Sequence, residues 1–237
     1  HGQLSGDAGL FVVSPSGLIL HEGGVIDAGS LLLGAGSIDQ LNNNEFMFRA
    51  SQGQILNDGT ISGGGITIFS QQFNNRHLIK STGDLKINTA QETLVSFAGE
   101  GIHFAVEESA LTSLIENSGS LLAEGGNIKI SAEAKQNLHA MTIHNTGSIK
   151  ATKVVEDGGD IYLLGGTGDI ENEGLITSKS ANHHDHGGEI VIESNRIAQK
   201  GVIQANAQGV GRGGSVILSA ESVVSLMPES IIRANGG

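Results

Sequence analysis

Cysteine and tryptophan are both absent from the 237 residues. Without thiols there are no disulfide staples, so the fold must hold by backbone ladders and packing alone. Proline occurs twice, at Pro15 and Pro228, and aromatic residues make up 3% of the chain, as seven Phe and one Tyr. A globular core of this length draws more of its bulk from rings. The interior must therefore be filled by Ile, Leu, Val and Ala, which suits a narrow tube of strands. Basic residues are few: 13 Lys and Arg stand against 25 Asp and Glu, for a net charge of −12. That excludes the basic footprint of nucleic-acid binding and disfavours docking on anionic lipid. No apolar run approaches the roughly 20 residues that span a bilayer.

What the chain has is glycine, 36 of them, and a recurring phrase. It reads Ile-Glu-Asn-Ser-Gly at 115–119, Ile-His-Asn-Thr-Gly at 143–147, Ile-Glu-Asn-Glu-Gly at 170–174 and Ile-Ala-Gln-Lys-Gly at 197–201. The closing glycines, Gly119, Gly147, Gly174 and Gly201, lie 28, 27 and 27 residues apart. Each phrase leads to a Gly-Gly pair (125–126, 158–159, 187–188, 213–214) and then to an alternating run such as Ile128-x-Ile130 or Ile190-x-Ile192. A fixed period with strand-length alternation predicts an all-β solenoid, a single elongated monomer in which each coil touches only its neighbours. Alternation puts Ile128 and Ile130 inside and Asn127, Lys129 and Ser131 outside. In Glu189–Glu193 apolar residues fall on both faces, so one face there is expected to be either covered or mildly exposed. The Asn-x-Gly corners predict stacked asparagine amides, with glycine in the left-handed conformation. On the order of ten coils at about 4.8 Å each would make a rod about 50 Å long.

The organisation divides at residue 54. Residues 1–54 contain strands at Leu10–Val13, Leu18–Leu20 and Val25–Leu31, a turn at Ser14–Gly17, a polar loop at Asn42–Asn44, and Phe46 and Phe48 on one face of a strand. That last part predicts a small element packed against the tube. Residues 55–237 hold the coils, with 92–114 expected to contribute another pair of strands to the run. The chain starts at His1 and ends on Gly236-Gly237, which predicts a segment of a longer protein. Inserts of varying length fall at one corner, at 152–158, 178–187 and 206–213, and should emerge on one side of the rod, where recognition is expected.

The opening residues carry a resemblance. Leu10-Phe11-Val12-Val13-Ser14-Pro15-Ser16-Gly17-Leu18-Ile19-Leu20, followed by Val25-Ile26-Asp27-Ala28-Gly29, resembles the N-terminal secretion domain of filamentous haemagglutinin-type exoproteins, the TpsA proteins of two-partner secretion. The family turn reads Asn-Pro-Asn-Gly; this chain matches at Pro15 and Gly17 and has serine at 14 and 16. The later coils resemble the family as well. The resemblance implies a right-handed parallel β-helix on a bacterial exoprotein. It implies an outer-membrane Omp85-type (TpsB-like) transporter as partner, transit through the periplasm, and a secreted or cell-surface location. It also makes Ser14, Pro15, Ser16 and Gly17 a candidate transporter-recognition motif, beside the plain reading of a tight turn between strands.

Candidate chemistry is sparse. His183-His184-Asp185-His186 has ligand-type residues, but adjacent side chains in an extended loop point apart, so the cluster is a candidate binding loop without an assigned metal. Gly166-Thr167-Gly168-Asp169 is only a fragment of the calcium-roll repeat. Gly209–Gly214 lacks the Lys-Ser/Thr ending and the following helix of a phosphate cradle. No cofactor is expected. Carbohydrate-active enzymes on β-helices use paired carboxylates or a base beside aromatic platforms, a pattern this sequence does not supply. Three readings stay open: an export and display segment, probed through adhesion to a host receptor or glycan; an inert stalk of a larger exoprotein or toxin; and, least supported, an enzyme.

Overall fold

The computed structural model describes residues 2–98, 101–134, 140–153, 159–180, 186–207 and 209–236, with the side chains of Ala98, Gly101 and Lys153 left aside. Among the described residues every regular element is a strand. The strands stack in parallel along three faces of a β-helix. The first face is built from Leu18–Leu20, Gln54–Asn57, Gln72–Asn75, Leu114–Asn117, Met141–Asn145, Asp169–Asn172 and residues 196–199 and 223–226. The second runs from residues 3–6 and 25–28 through Thr60–Gly63, Leu78–Ser81, Ser120–Ala123, Ser148–Lys153, Leu175–Ser180 and Val202–Gln204 to Ile231–Arg233. The third runs from residues 9–13 and 31–34 through Ile66–Phe69, Leu85–Thr89, Ile128–Ala132 and Ile161–Leu164 to residues 189–194 and 215–220. The stack passes through residue 54 without a break: 18–20 pair with 55–57, and 25–28 with 60–63.

Alternation explains the interior. On the first face Ile115, Ile143, Ile170 and Ile197 stand one above another. Ile79, Leu121, Ile149, Ile176 and Ile203 do so on the second, and Ile66/Ile68, Leu85/Ile87, Ile128/Ile130 and Ile161/Leu163 on the third. All are essentially sealed from solvent. Each buried aliphatic side chain contributes about 1.5–3 kcal/mol relative to an exposed one. Val191 on the outer side of the third face is also buried, the covered one of the two alternatives that the pattern left open.

The expected amide stack is present. Asn57 Nδ2 donates to Asn75 Oδ1 (2.8 Å), Asn75 to Asn117 (2.8 Å), Asn117 to Asn145 (2.7 Å), Asn145 to Asn172 (2.7 Å), and Asn172 to Gln199 Oε1 (3.0 Å). The seam then closes on a backbone carbonyl, Gln199 Nε2 to Gly201 O (2.8 Å). All these side chains are buried, and mutual pairing is what makes polar groups tolerable there. In register, Leu20 lies beside Asn57 and Leu226 beside Gln199, so the seam gives way to leucine at each end. A second seam marks the corner before the third face. There Asp84 Oδ1 accepts from Asn127 N, Asn127 Oδ1 from Asp160 N, and Asp160 Oδ1 from Glu189 N, at 2.9–3.0 Å.

The corner glycines act differently from the sequence expectation. Gly59, Gly119, Gly147, Gly174 and Gly201 are not left-handed; the positive-φ glycines among the described residues are Gly17, Gly23, Gly166 and Gly209. Instead, a Cβ on Gly147 would sit 2.1 Å from Gly119 O, and one on Gly174 2.0 Å from Gly147 O. Glycine is required because successive coils touch at this corner.

Two excursions leave the tube at the end of the third face. Gly36–Gln40 and Glu45–Ala50 form one antiparallel hairpin, Glu92–Ala98 and Gly101–Glu108 another, and 45–49 pairs with 92–96 to join them in a four-stranded sheet. Residues 92–108 thus belong to this outer sheet and not to the coils, which also shortens the rod. The third face has eight levels among the described residues, about 35 Å of stacking at the usual strand spacing. Phe46 and Phe48 face inward as expected, forming with Leu32, Phe69 and Val95 a second core between sheet and tube. Phe48 and Phe69 lie 5.2 Å apart, and Phe69 and Phe104 meet edge-on at 5.7 Å. Phe73 alone among the phenylalanines joins the tube interior.

Candidate functional site

The Ser14–Gly17 segment is a tight turn. Gly17 N–H donates to Ser14 O (3.1 Å), with Pro15 at the second position, where its fixed φ suits the bend, and Gly17 at φ +96°. The first excursion clamps it from both ends. Ser14 N–H donates to Gly34 O (2.9 Å), Gly36 N–H donates to Ser14 O (3.1 Å), and the Ser51 hydroxyl donates to Pro15 O (2.5 Å). A Cβ on Gly17 would lie 2.3 Å from Gln54 O. Pro15 and Ser16 point outward and are exposed. The turn is thus a rigid, solvent-facing knob whose shape depends on the outer sheet being in place.

Of the candidate binding loop, His183, His184 and Asp185 lie outside the described residues. His186 is exposed, and its Nδ1 accepts the Arg212 backbone N–H (2.9 Å). Gly187 N–H donates to Arg212 O (3.0 Å), so the described parts of the second and third inserts stack on one corner. Insert residues 154–158, 181, 182 and 208 also lie outside the described residues.

A different set of ligand-type residues is brought together on the outer side of the first face. His144 sits between the inward-facing Ile143 and Asn145, with Glu116 in register one level before it and Glu171 one level after. Glu173 follows at the corner of the Glu171 coil, and Lys200 at the corner of the next. One nitrogen of His144 and one carboxylate oxygen each from Glu171 and Glu173 lie within 4.8 Å of one another. Lys200 Nζ pairs with Glu171 and donates to Glu173 Oε1 (2.7 Å). These hydrogen bonds, Glu171 first, raise the Lys200 pKa, and the Lys200 hydrogen bond followed by its charge holds Glu173 below its usual range. The Glu173 contribution is present above the ordinary carboxylate range and fades as pH falls through its depressed pKa; that of Lys200 persists until pH rises past the ordinary ammonium range. His144 Nε2 is shut off from solvent and has no hydrogen-bond partner. The sequence reading missed this cluster because its members come from three successive coils, at 144, at 171 and 173, and at 200. The available signal was their place in the phrase: His144 and Glu171 are both its second residue.

An open groove of about 510 Å³ lies beneath the second hairpin, lined by Phe11, Thr67, Lys86, Phe97 and Ile102 among others. Its lysine is engaged, donating to Ile102 O (2.9 Å) and pairing with Asp84 (3.4 Å).

No helix of the described residues is long and apolar enough to cross a membrane. The chain is similar to two curated proteins of Haemophilus influenzae, each described as a heme/hemopexin-binding protein. One, from strain Rd, is 21% identical over 194 residues, covering 76% of this chain and 21% of the relative; the other is 21% identical over 252 residues, covering 92% and 25%. The chain therefore spans about a fifth to a quarter of the length of these relatives. The TPS secretion domain matches residues 2–178, from the first strand through both outer hairpins to the seventh level of the second face. The chain belongs to the TPS secretion domain family, that of the exoproteins of two-partner secretion.

Proposed function

We propose that this chain is the export domain of a bacterial exoprotein, handed through the outer membrane by a TpsB-like transporter of the Omp85 type and then serving as the first segment of a surface or secreted rod. The observation that carries this reading is the family match over residues 2–178, which includes the turn and both hairpins of the outer sheet. The role is one of recognition and display, not catalysis, and the chain acts as a monomer. The exposed knob at Ser14, Pro15, Ser16 and Gly17 is the part the transporter reads. Its rigidity supports that role, because a fixed turn loses little entropy on binding.

Export from cells carrying the cognate transporter tests this. Ser16→Arg changes an exposed side chain at the tip of the turn. It should leave urea stability within about 0.5 kcal/mol and reduce secreted protein at least tenfold. Normal export of this variant would remove the turn from the recognition role. Failure of the unaltered chain to depend on the transporter would remove the export reading itself.

A ligand-binding or adhesive role for the full-length protein is supported by the names of the relatives, which describe binding to heme and hemopexin, and by inserts gathered on one corner. The stalk reading assigns that binding to other parts of the protein. Deleting residues 181–185, which spares the strand Leu175–Ser180, separates them: lost cell or ligand binding with an intact rod supports the insert corner, and unchanged binding supports the stalk.

A further inference from the structure

The cluster on the first face has a property that a simple ion pair does not explain. Lys200 satisfies the two carboxylates of Glu171 and Glu173, but His144 Nε2 remains buried and unpartnered. Charge is unbalanced as well: Glu116, Glu171 and Glu173 bring three carboxylates to one ammonium. Glu116 is held one level before His144 and accepts from Asn74 Nδ2 (2.6 Å).

We propose that His144, Glu171 and Glu173 form a binding site for a divalent transition-metal ion of the zinc class, whose place the Lys200 ammonium takes when no metal is bound. This goes beyond the export reading and does not depend on it. Neutral imidazole offers a lone pair at Nε2 when Nδ1 carries the proton, and carboxylate oxygens complete a mixed nitrogen–oxygen set that suits zinc. Calcium is disfavoured, because it wants six to eight oxygens. The backbone under the ligands is fixed in advance. His144 and Glu171 each stand between an inward isoleucine and an inward asparagine of the amide seam, and Glu173 N–H donates to Asn145 O (2.8 Å). The ligand atoms, within 4.8 Å of one another, must close to about 3.3 Å to surround a zinc ion at bond lengths near 2.0–2.1 Å. Glu173 is exposed and free to make that adjustment, and the Lys200 head group can swing back into water. Lys200 therefore sets the affinity: the ion must displace an ammonium already paired twice.

Calorimetric titration with zinc chloride tests the site. The full chain should carry His183→Gln, His184→Gln and His186→Gln, so that the insert loop takes no metal. One ion per chain is expected. His144→Gln should weaken binding at least tenfold, and Lys200→Met should tighten it about tenfold. Because His144 points outward, its glutamine variant keeps the coil; zinc should raise the melting temperature of the parent chain but not of this variant. No binding by the parent chain, or equal binding by His144→Gln, overturns the site. A Lys200→Met variant no tighter than the parent overturns the competition.

Discussion

A corner glycine in this protein is there for want of a Cβ, because the carbonyl of the preceding coil occupies the space a methyl would need. Gly147→Ala pushes a Cβ to within 2.1 Å of Gly119 O, and backbone cannot yield as a flexible side chain would. The expected loss is about 3 kcal/mol, the upper part of the usual overpacking range. Gly65 is the control: a Cβ there meets nothing within 4 Å and its φ is not positive. Gly65→Ala should be neutral or stabilise by up to about 1 kcal/mol through the unfolded chain. Urea midpoints of the two variants check this, and similar midpoints would mean that coil contact is not what the corner glycines serve. The positions of these glycines were legible from their period. Their reason was not, since a sequence shows spacing along the chain and not which carbonyl arrives above it.

At the scale of the element, the amide seam and the outer sheet are both polar or aromatic exceptions to an aliphatic tube, and they stabilise by different means. The seam works only as an unbroken series, because each amide both donates to the next and accepts from the one before. Asn117→Ala leaves Asn145 Oδ1 without its amide donor and Asn75 Nδ2 with only its longer bonds to His77 O and Ser120 O, in a dry interior. At about 1–3 kcal/mol for an orphaned group, the expected cost is about 1–3 kcal/mol or somewhat more by equilibrium unfolding. A cost below 1 kcal/mol would show that water enters the seam. The phrase Ile-x-Asn-x-Gly announced the seam, because residues recurring at the coil period must stack. The outer sheet was half legible. Phe46 and Phe48 signalled an element packed on the tube, but strand Glu92–Ala98 alternates just as a coil strand does, and nothing in its own pattern says that it pairs antiparallel with residues 45–49.

Across the whole molecule, the outer sheet ties together levels that a plain solenoid would leave coupled only to their neighbours. Arg49 joins three strands of it, pairing with Asp39 and with Glu92 (2.8 Å), while Phe48 and Phe69 pack between sheet and tube. The first coils should therefore open as one unit. Phe48→Ala, costing about 3–5 kcal/mol, is expected to raise hydrogen exchange together across residues 2–110 while the coils from Leu114 onward keep their protection. A rise confined to residues 36–50 would show that the sheet clasps nothing. The same coupling bears on the proposed recognition knob, since Gly36 and Ser51, which hold the Ser14–Gly17 turn, are the two ends of the first excursion.

Period, inside-out alternation and the asparagine seam are all properties of one coil repeated, so a single chain read along its length is enough to establish them. The joining of residues 45–49 to 92–96, and the meeting of His144 with Glu171, Glu173 and Lys200, depend on how many levels separate two points and on which side of the tube each emerges. Those relations come into being when the coils stack in one register, and the stacking brings together residues that the linear order keeps a coil or more apart.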